Sequence, residues 1–351
     1  MKRLFTFFNR HRKHLPTLAL VAGLVWDSLT LGRPDQLYAN MVLLSYLVIA
    51  GFCIVLLARR ETPKKGYKLS LPLIIQFSFG NLAGGLLVLY VGSATLSGNW
   101  PFFLVLLGLL IGNEIARTRH AQVRFNVSVY YFLALLYFIL LVPILTRTIG
   151  SWTFLLSLFS SIIFIFGFLL VLRFTAKDIL NKDKGVLARG IFSIAVVFSA
   201  FYYLHVIPPV PLAARDIGIF HDVEKRNGDY LVSYEAGKWY AFWKRSDTDA
   251  RVKTPGTLSC FSAIFAPTDI NISVYHVWEK FDASRKRWEE LGHFNFPILG
   301  GRALGYRGYS EKTVTEGIWR CSVKTGNGAL LGRVHVSVTS GIPTPLTTEV
   351  R

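Results

Sequence analysis

Up to about residue 210 the chain alternates long apolar runs with short basic linkers, and this alternation limits what it can fold into more than any motif does. Each run is close to the ~20 residues that a helix needs to cross a ~30 Å hydrocarbon core. Seven such runs stand out, at 15–31, 38–57, 70–95, 100–115, 125–145, 152–172 and 191–207. The first, fourth and seventh are short, and the first contains Pro16 and Asp27. A cleaved signal peptide is the competing reading of the first run, but no small-residue cleavage site follows it and Arg33 and Asp35 come directly after. With 52% hydrophobic and only 17% charged residues, the composition excludes an ordinary soluble enzyme.

The position of the charges tests the seven-helix reading independently, because Lys and Arg accumulate in short loops on the cytoplasmic side. The leader and alternate linkers carry 18 Lys and Arg, from Lys2 to Arg189, while the intervening linkers carry only Arg33 and Arg147. The N-terminus is therefore expected inside, and an odd number of crossings places the C-terminal part outside. Trp100, Trp152, Tyr202 and Tyr203 fall near the expected outer ends, where amphipathic rings favour the interface. Of the net charge of +18, +14 lies before Pro208 and +4 after it. The excess is thus an orienting signal, and no nucleic-acid partner is expected.

After Pro208-Pro209-Val210-Pro211, which cannot continue a helix, the pattern changes to short runs rich in Val, Ile, Tyr, Phe and Trp between Gly, Asn, Asp and Pro. Strands are expected at 217–223, 230–234, 239–243, 257–265, 272–278, 288–296, 317–324 and 330–338, with Asn327-Gly328 as a type I′ hairpin turn. The fold class is an all-α membrane bundle followed by an all-β, immunoglobulin-like sandwich. Its expected divisions are a basic cytoplasmic leader (1–14), the transmembrane helices (15–207), a Pro-rich linker (208–212), the sandwich (213–340) and a frayed tail (341–351).

Cys260, Trp278 and Trp319-Arg320-Cys321 fit an immunoglobulin-like core. Alternation places Trp319, Cys321 and Val323 on one apolar face, but sets Cys260 opposite the greasier face of Phe261, Ala263 and Phe265. Two unbonded buried thiols are therefore the preferred reading, and a Cys260–Cys321 disulfide the alternative. Cys53 is read as an apolar helix residue.

At membrane depth Asp27, with Trp26, Asn81 and Glu114, forms the set of polar candidates, since ionisable groups there are costly. Structural roles are preferred: Asp27 as an anchor to Arg33 or Arg147, Glu114 as a partner of Arg117, and Gln76, Asn81, Gly80 and Gly84 as helix-packing residues. Outside the membrane, Arg302, Tyr306, Arg307 and Tyr309 on a Gly-rich stretch are the candidate ligand or partner surface, weighed against a tightly turned connection that covers the sandwich. Trp239, Tyr240, Trp243, Lys244 and Arg245 are a second aromatic-basic group. His221, His276, His293 and His335 lack metal-ligand spacing, and neither a catalytic nor a cofactor signature is present, so no catalytic residue, metal or cofactor is expected.

The whole chain resembles a family of uncharacterised bacterial membrane proteins ending in domain of unknown function 2914. The similar segments in the membrane part are Trp26-Asp27 with Arg33 and Asp35, Ser93-Ala94-Thr95-Leu96 with Trp100-Pro101-Phe102, and Gly112-Asn113-Glu114. In the outer part they are Pro208 to Leu212, Phe265-Ala266-Pro267-Thr268, His276-Val277-Trp278, Gly300-Gly301-Arg302 and Gly305-Tyr306-Arg307-Gly308-Tyr309. The resemblance implies the architecture and a bacterial envelope setting, and no chemistry. The reading is an inner-membrane protein that presents its sandwich outside the cytoplasm to an envelope protein, peptidoglycan or glycan. The alternative is a transporter or lipid-modifying enzyme centred on Asp27.

Overall fold

The computed structural model describes residues 25, 27–31, 36–59, 70–91, 93, 96–115, 122–235, 246–253, 255–266, 271–299 and 306–351. Two compact units are present, Met1–Gly92 with Asn99–Val210, and Ser93–Gly98 with Pro211–Arg351.

The first unit is helical. After a short helical stretch at 27–30 come α1 (Leu37–Ala58), α2 (Ser70–Val91), α3 (Leu96–Ile115), α4 (Val123–Thr146), α5 (Ser151–Thr175) and α6 (Lys177–Tyr203). Five of them are long and apolar enough to cross a membrane, whereas the apolar part of α3 is the shorter stretch Asn99–Asn113. The first expected run lies mostly outside the described residues. The sixth basic linker is not a loop: Lys177 to Arg189 form the first turns of α6, where Leu, Lys and Arg favour helix.

Helix α4 is central and packs against α1, α2, α5 and α6. Its tyrosines tie the bundle together: the Tyr137 hydroxyl donates to the Asn40 carbonyl at 3.3 Å, and the Tyr90 hydroxyl of α2 donates to the Leu136 carbonyl at 2.9 Å. Small residues admit the larger ones, since a Cβ on Gly51 would lie 2.6 Å from the Tyr130 hydroxyl. In α1 the buried stripe runs through Ala39, Leu43, Leu47, Ala50 and Ile54, at helical spacing. The opposite face is equally apolar, with Met41, Val48 and Phe52 58–64% exposed, and α5 exposes Phe159, Ile163 and Phe166 in the same way. An apolar exterior of this extent suits a hydrocarbon surround, because water-soluble monomers rarely carry a comparable patch. These helices and the C-terminal domain fit a multi-pass membrane protein with a β module.

The second unit has eleven described strands in three sheets. They are β1 (Ala213–Phe220), β2 (Asp222–Arg226), β3 (Asp229–Glu235), β4 (Asp249–Val252), β5 (Gly256–Phe265), β6 (Asn271–Asp282), β7 (Arg287–Leu299), β8 (Tyr306–Val314), β9 (Gly317–Thr325), β10 (Leu330–Ser340) and β11 (Leu346–Val350). The sheet orders are β1-β5-β8, β4-β10-β9-β6-β7 and β11-β3-β2. At Asn327-Gly328 only Gly328 has a positive φ (85°), so the expected type I′ turn does not form there; Asn227-Gly228, unread in the sequence, closes the β2–β3 hairpin with φ of 50° and 92°.

The β1-β5-β8 sheet is the middle layer. Ile219, Leu258, Cys260 and Val314 pack against Trp278, Trp319, Cys321 and Val336 of the five-stranded sheet. On its other side Phe220, Phe261 and Ala263 pack against Val223, Tyr230, Val232 and Tyr234 of the β11-β3-β2 sheet. This corrects two expectations. The final residues do not all fray, because Leu346–Val350 pairs antiparallel with β3. Cys260 is not left on a poorer face, because β5 is buried on both sides; Cys260 and Cys321 are joined, with Cα atoms 6.4 Å apart.

Candidate functional site

Alternation along β9 sends Trp319, Cys321 and Val323 inward and Arg320, Ser322 and Lys324 to the opposite side of the five-stranded sheet. Register places Arg320 between Glu279 of β6 and His335 of β10, and Ser322 between Val277 and Arg333. Arg320 grips Glu279 with two parallel bonds, Nε to Oε2 and Nη2 to Oε1, both 2.7 Å. The Ser322 hydroxyl donates to Glu279 Oε2 at 2.9 Å. Burial works against the Glu279 carboxylate, but these bonds outweigh it and hold its pKa below the usual range. The Arg320 guanidinium lies 4.1 Å from the centre of the Trp288 ring, which also meets His335 edge-on at 5.6 Å. Arg333 Nε donates to Ser322 Oγ at 2.8 Å. The face thus combines fixed guanidinium groups with aromatic rings.

Between the sheets, His276 Nε2 lies 2.7 Å from Ser262 Oγ and Nδ1 lies 3.0 Å from Ser310 Oγ, while Trp278 Nε1 donates to the same Ser310 hydroxyl. Burial pushes the His276 pKa down to about 3, so the ring is neutral, donating through one nitrogen and accepting through the other. A Ser–His pair is the arrangement of nucleophilic enzymes. Here Ser262 is 3% and His276 0% exposed, which closes the pair to any substrate. Ligand atoms of Cys260, His276 and Cys321 lie within 4.8 Å of one another, but the two sulfurs are bonded to each other and offer no thiolate to a metal.

A third polar cluster stands at the β1–β2 corner. His221 Nδ1 lies 2.7 Å from Asp247 Oδ2, and Nε2 lies 3.1 Å from the Arg251 carbonyl and 3.4 Å from Glu235 Oε1. Every partner is an acceptor, so both nitrogens must carry protons and the ring is an imidazolium. Burial lowers the His221 pKa, but the Asp247 bond and charge, with Arg251 and Glu235, outweigh it and raise the value above the ordinary one. Glu235 also accepts from the Arg251 and Thr344 backbone, so one cation ties together four segments.

The sequence-derived candidates are not brought together. Arg302 and Trp26 lie outside the described residues, as do residues 239–245 and the side chain of Glu114. Arg307 is committed within the chain: its guanidinium donates to Asp229, the Gly228 carbonyl and the Arg351 carbonyl, at 3.1, 2.9 and 2.6 Å. Tyr309 packs on Tyr230 in the second core, and Tyr306 is the first residue of β8. Arg307 and Tyr309 therefore hold the sandwich together, the covering role weighed in the sequence. Asp27 is buried, with Oδ2 4.0 Å from where a Gly85 Cβ would stand. The Asn81 side chain donates to Phe77 of its own helix, and Asn113 reaches across to the Gln76 carbonyl at 3.0 Å beside Gly80. Gly85 and Gln76 are nine residues apart on α2, about 13 Å along its axis. Arg320, Arg333 and Trp288 were missed, although the inward assignment of Trp319, Cys321 and Val323 implied an outward Arg320-Ser322-Lys324 row.

A family described as protein of unknown function (DUF2914) matches residues 271–338, which span β6 to β9 and most of β10 and so include this face. No curated protein matches the chain. An immunoglobulin-like protein from Pseudomonas aeruginosa is 10% identical, covering 36% of this chain and 96% of its own, with a TM-score of 0.23. A β-glucosidase from Listeria innocua in complex with isofagomine is 15% identical, covering 36% of this chain and 18% of its own, with a TM-score of 0.22. Scores this low carry no argument about the present chain.

Proposed function

We propose that the chain is a multi-pass protein of the bacterial inner membrane, with its N-terminus in the cytoplasm, that holds the C-terminal β-sandwich outside as a binding module for an envelope partner. The observation that carries this reading is the Cys260–Cys321 bond in the sandwich core, since disulfides persist in oxidising compartments. The charge asymmetry of the linkers agrees with it.

The parity turns on seven crossings, and α3 is the critical one. Its apolar stretch of 15 residues, Asn99–Asn113, covers about 22 Å, short of a ~30 Å core. The side-chain amides at the two ends of that stretch donate within the bundle, Asn99 to the Val206 carbonyl and Asn113 to that of Gln76. This supports a short crossing helix, because buried polar groups at membrane depth need partners within the protein. Two C-terminal reporter fusions test the proposal, an alkaline phosphatase active only outside the cytoplasm and a fluorescent protein active only within it. Phosphatase activity alone is expected; fluorescence alone would overturn the topology.

A further inference from the structure

At the centre of the outer face of the five-stranded sheet, positive charge exceeds what the local carboxylate balances. Both Glu279 oxygens are engaged by Arg320, and one also by Ser322. Arg333, directly across from Ser322, is oriented by its Nε bond to that hydroxyl. Among the described residues, Arg333 and Lys324 take part in no ion pair, and the Arg333 side chain donates to Ser322 through Nε and not through its Nη groups. Arg333 is half-buried, and its neighbour Arg320 adds like-charge repulsion to the cost of burial. A guanidinium that is desolvated, fixed in direction and beside another cation gains from an incoming oxyanion, which its two Nη groups can hold in bidentate fashion. Apart from Glu279, the described acids of the face belong to the edge strands: Glu290 on β7, 3.1 Å from His293, and Asp249 on β4. They leave the centre as the seat for negative charge. Trp288 and Tyr275 flank that centre, Tyr275 directly across from Lys324. Such rings give rigid contact area to sugar C–H faces.

We propose that this face, centred on Arg333 and Lys324 with Trp288 and Tyr275 beside them, binds an acidic glycan through its carboxylate or phosphate groups. The inference rests on the reading of the β unit as a binding module, and not on which side of the membrane it stands.

The test uses the full chain in detergent micelles, immobilised and titrated with polygalacturonate, phosphomannan, neutral dextran and duplex DNA. Polygalacturonate, phosphomannan or both should bind, and the one preferred identifies the acid group; dextran should not. Arg333→Gln and Lys324→Gln should each weaken binding at least tenfold without changing the near-UV circular dichroism or the Tm. Failure of both acidic glycans to bind, equal binding of dextran, DNA bound as tightly as the glycans, or full affinity in the Arg333→Gln/Lys324→Gln double variant would each overturn the proposal. The reporter fusions read topology alone, so the two ideas fail separately.

Discussion

Opening the Cys260–Cys321 bond perturbs the β unit at its centre, where β5 of the middle sheet meets β9 of the five-stranded one. The bond spans a sequence separation of 61. In the chain-entropy treatment a cross-link over such a loop removes about 14 cal/mol/K from the unfolded ensemble, or about 4 kcal/mol at 25 °C. Replacing both sulfurs by Cys260→Ala/Cys321→Ala also thins the packing against Trp278 and Trp319, so the loss is not smaller than this. For a unit of this size about 1 kcal/mol moves the Tm by about 4 °C, and the double variant should therefore melt about 16 °C lower. The measurement is thermal unfolding of the full chain in detergent, followed by near-UV circular dichroism of the buried tryptophans. Both cysteines are 0% exposed, so brief treatment of the native protein with dithiothreitol should leave the Tm unchanged until the unit opens. A double variant melting within about 4 °C of the parent would refute the reasoning and remove the main support for an oxidising compartment.

His221 stabilises the fold as a cation with a raised pKa, so its contribution is complete below the unfolded value of about 6.5 and is lost as pH rises through the higher folded value. The Tm difference between parent and His221→Gln should accordingly shrink with rising pH; a difference independent of pH would exclude the imidazolium. Glu279→Gln removes the partner of a guanidinium that is only 14% exposed, and should cost about 3 kcal/mol in the same melting assay, whereas a cost below about 1 kcal/mol would mean the pair is solvated. Gly51→Ala drives a methyl into the Tyr130 hydroxyl and should destabilise the helical unit by about 1–3 kcal/mol, read as reduced heat resistance of the detergent-solubilised chain. Arg307→Ala frees the β2–β3 turn and the Arg351 carbonyl; hydrogen exchange should rise in β3 and β11, with β9 and β10 unchanged.

The helices were legible because one property, a run of about 20 apolar residues, acts locally. The expected 38–57, 125–145 and 152–172 became Leu37–Ala58, Val123–Thr146 and Ser151–Thr175, each end moving by a few residues. The linkers were less legible, since a basic segment such as Lys177 to Arg189 reads as polar whether it is coiled or helical. In the β unit the sequence rule was two-valued: each strand was given one buried face and one solvated face. That suits β9, where Trp319, Cys321 and Val323 do face the core. It fails for β5, buried continuously from Leu258 to Phe265, because a third sheet covers the side that Phe261 and Ala263 face.

The same two-faced rule also hid the surroundings of Arg307 and Tyr309. Covering the second face of β5 requires strands that the sequence reading did not supply: β11 was taken as tail, and β8 as a glycine-rich connection whose Arg and Tyr either cover the sandwich or form a ligand surface. Once β8 and β11 are strands, Arg307 and Tyr309 have neighbours on every side and turn inward to Asp229, Arg351 and Tyr230. The outward cations are instead on β9 and β10, where they were hidden by their own alternation with core residues. Polar residues between Trp319, Cys321 and Val323 read as an ordinary wetted face until the partners are counted. Among the described residues one carboxylate, Glu279, forms an ion pair at the centre of that face, and its partner is Arg320. Pairing across strands is a property of register, and register is what a single strand's pattern does not contain.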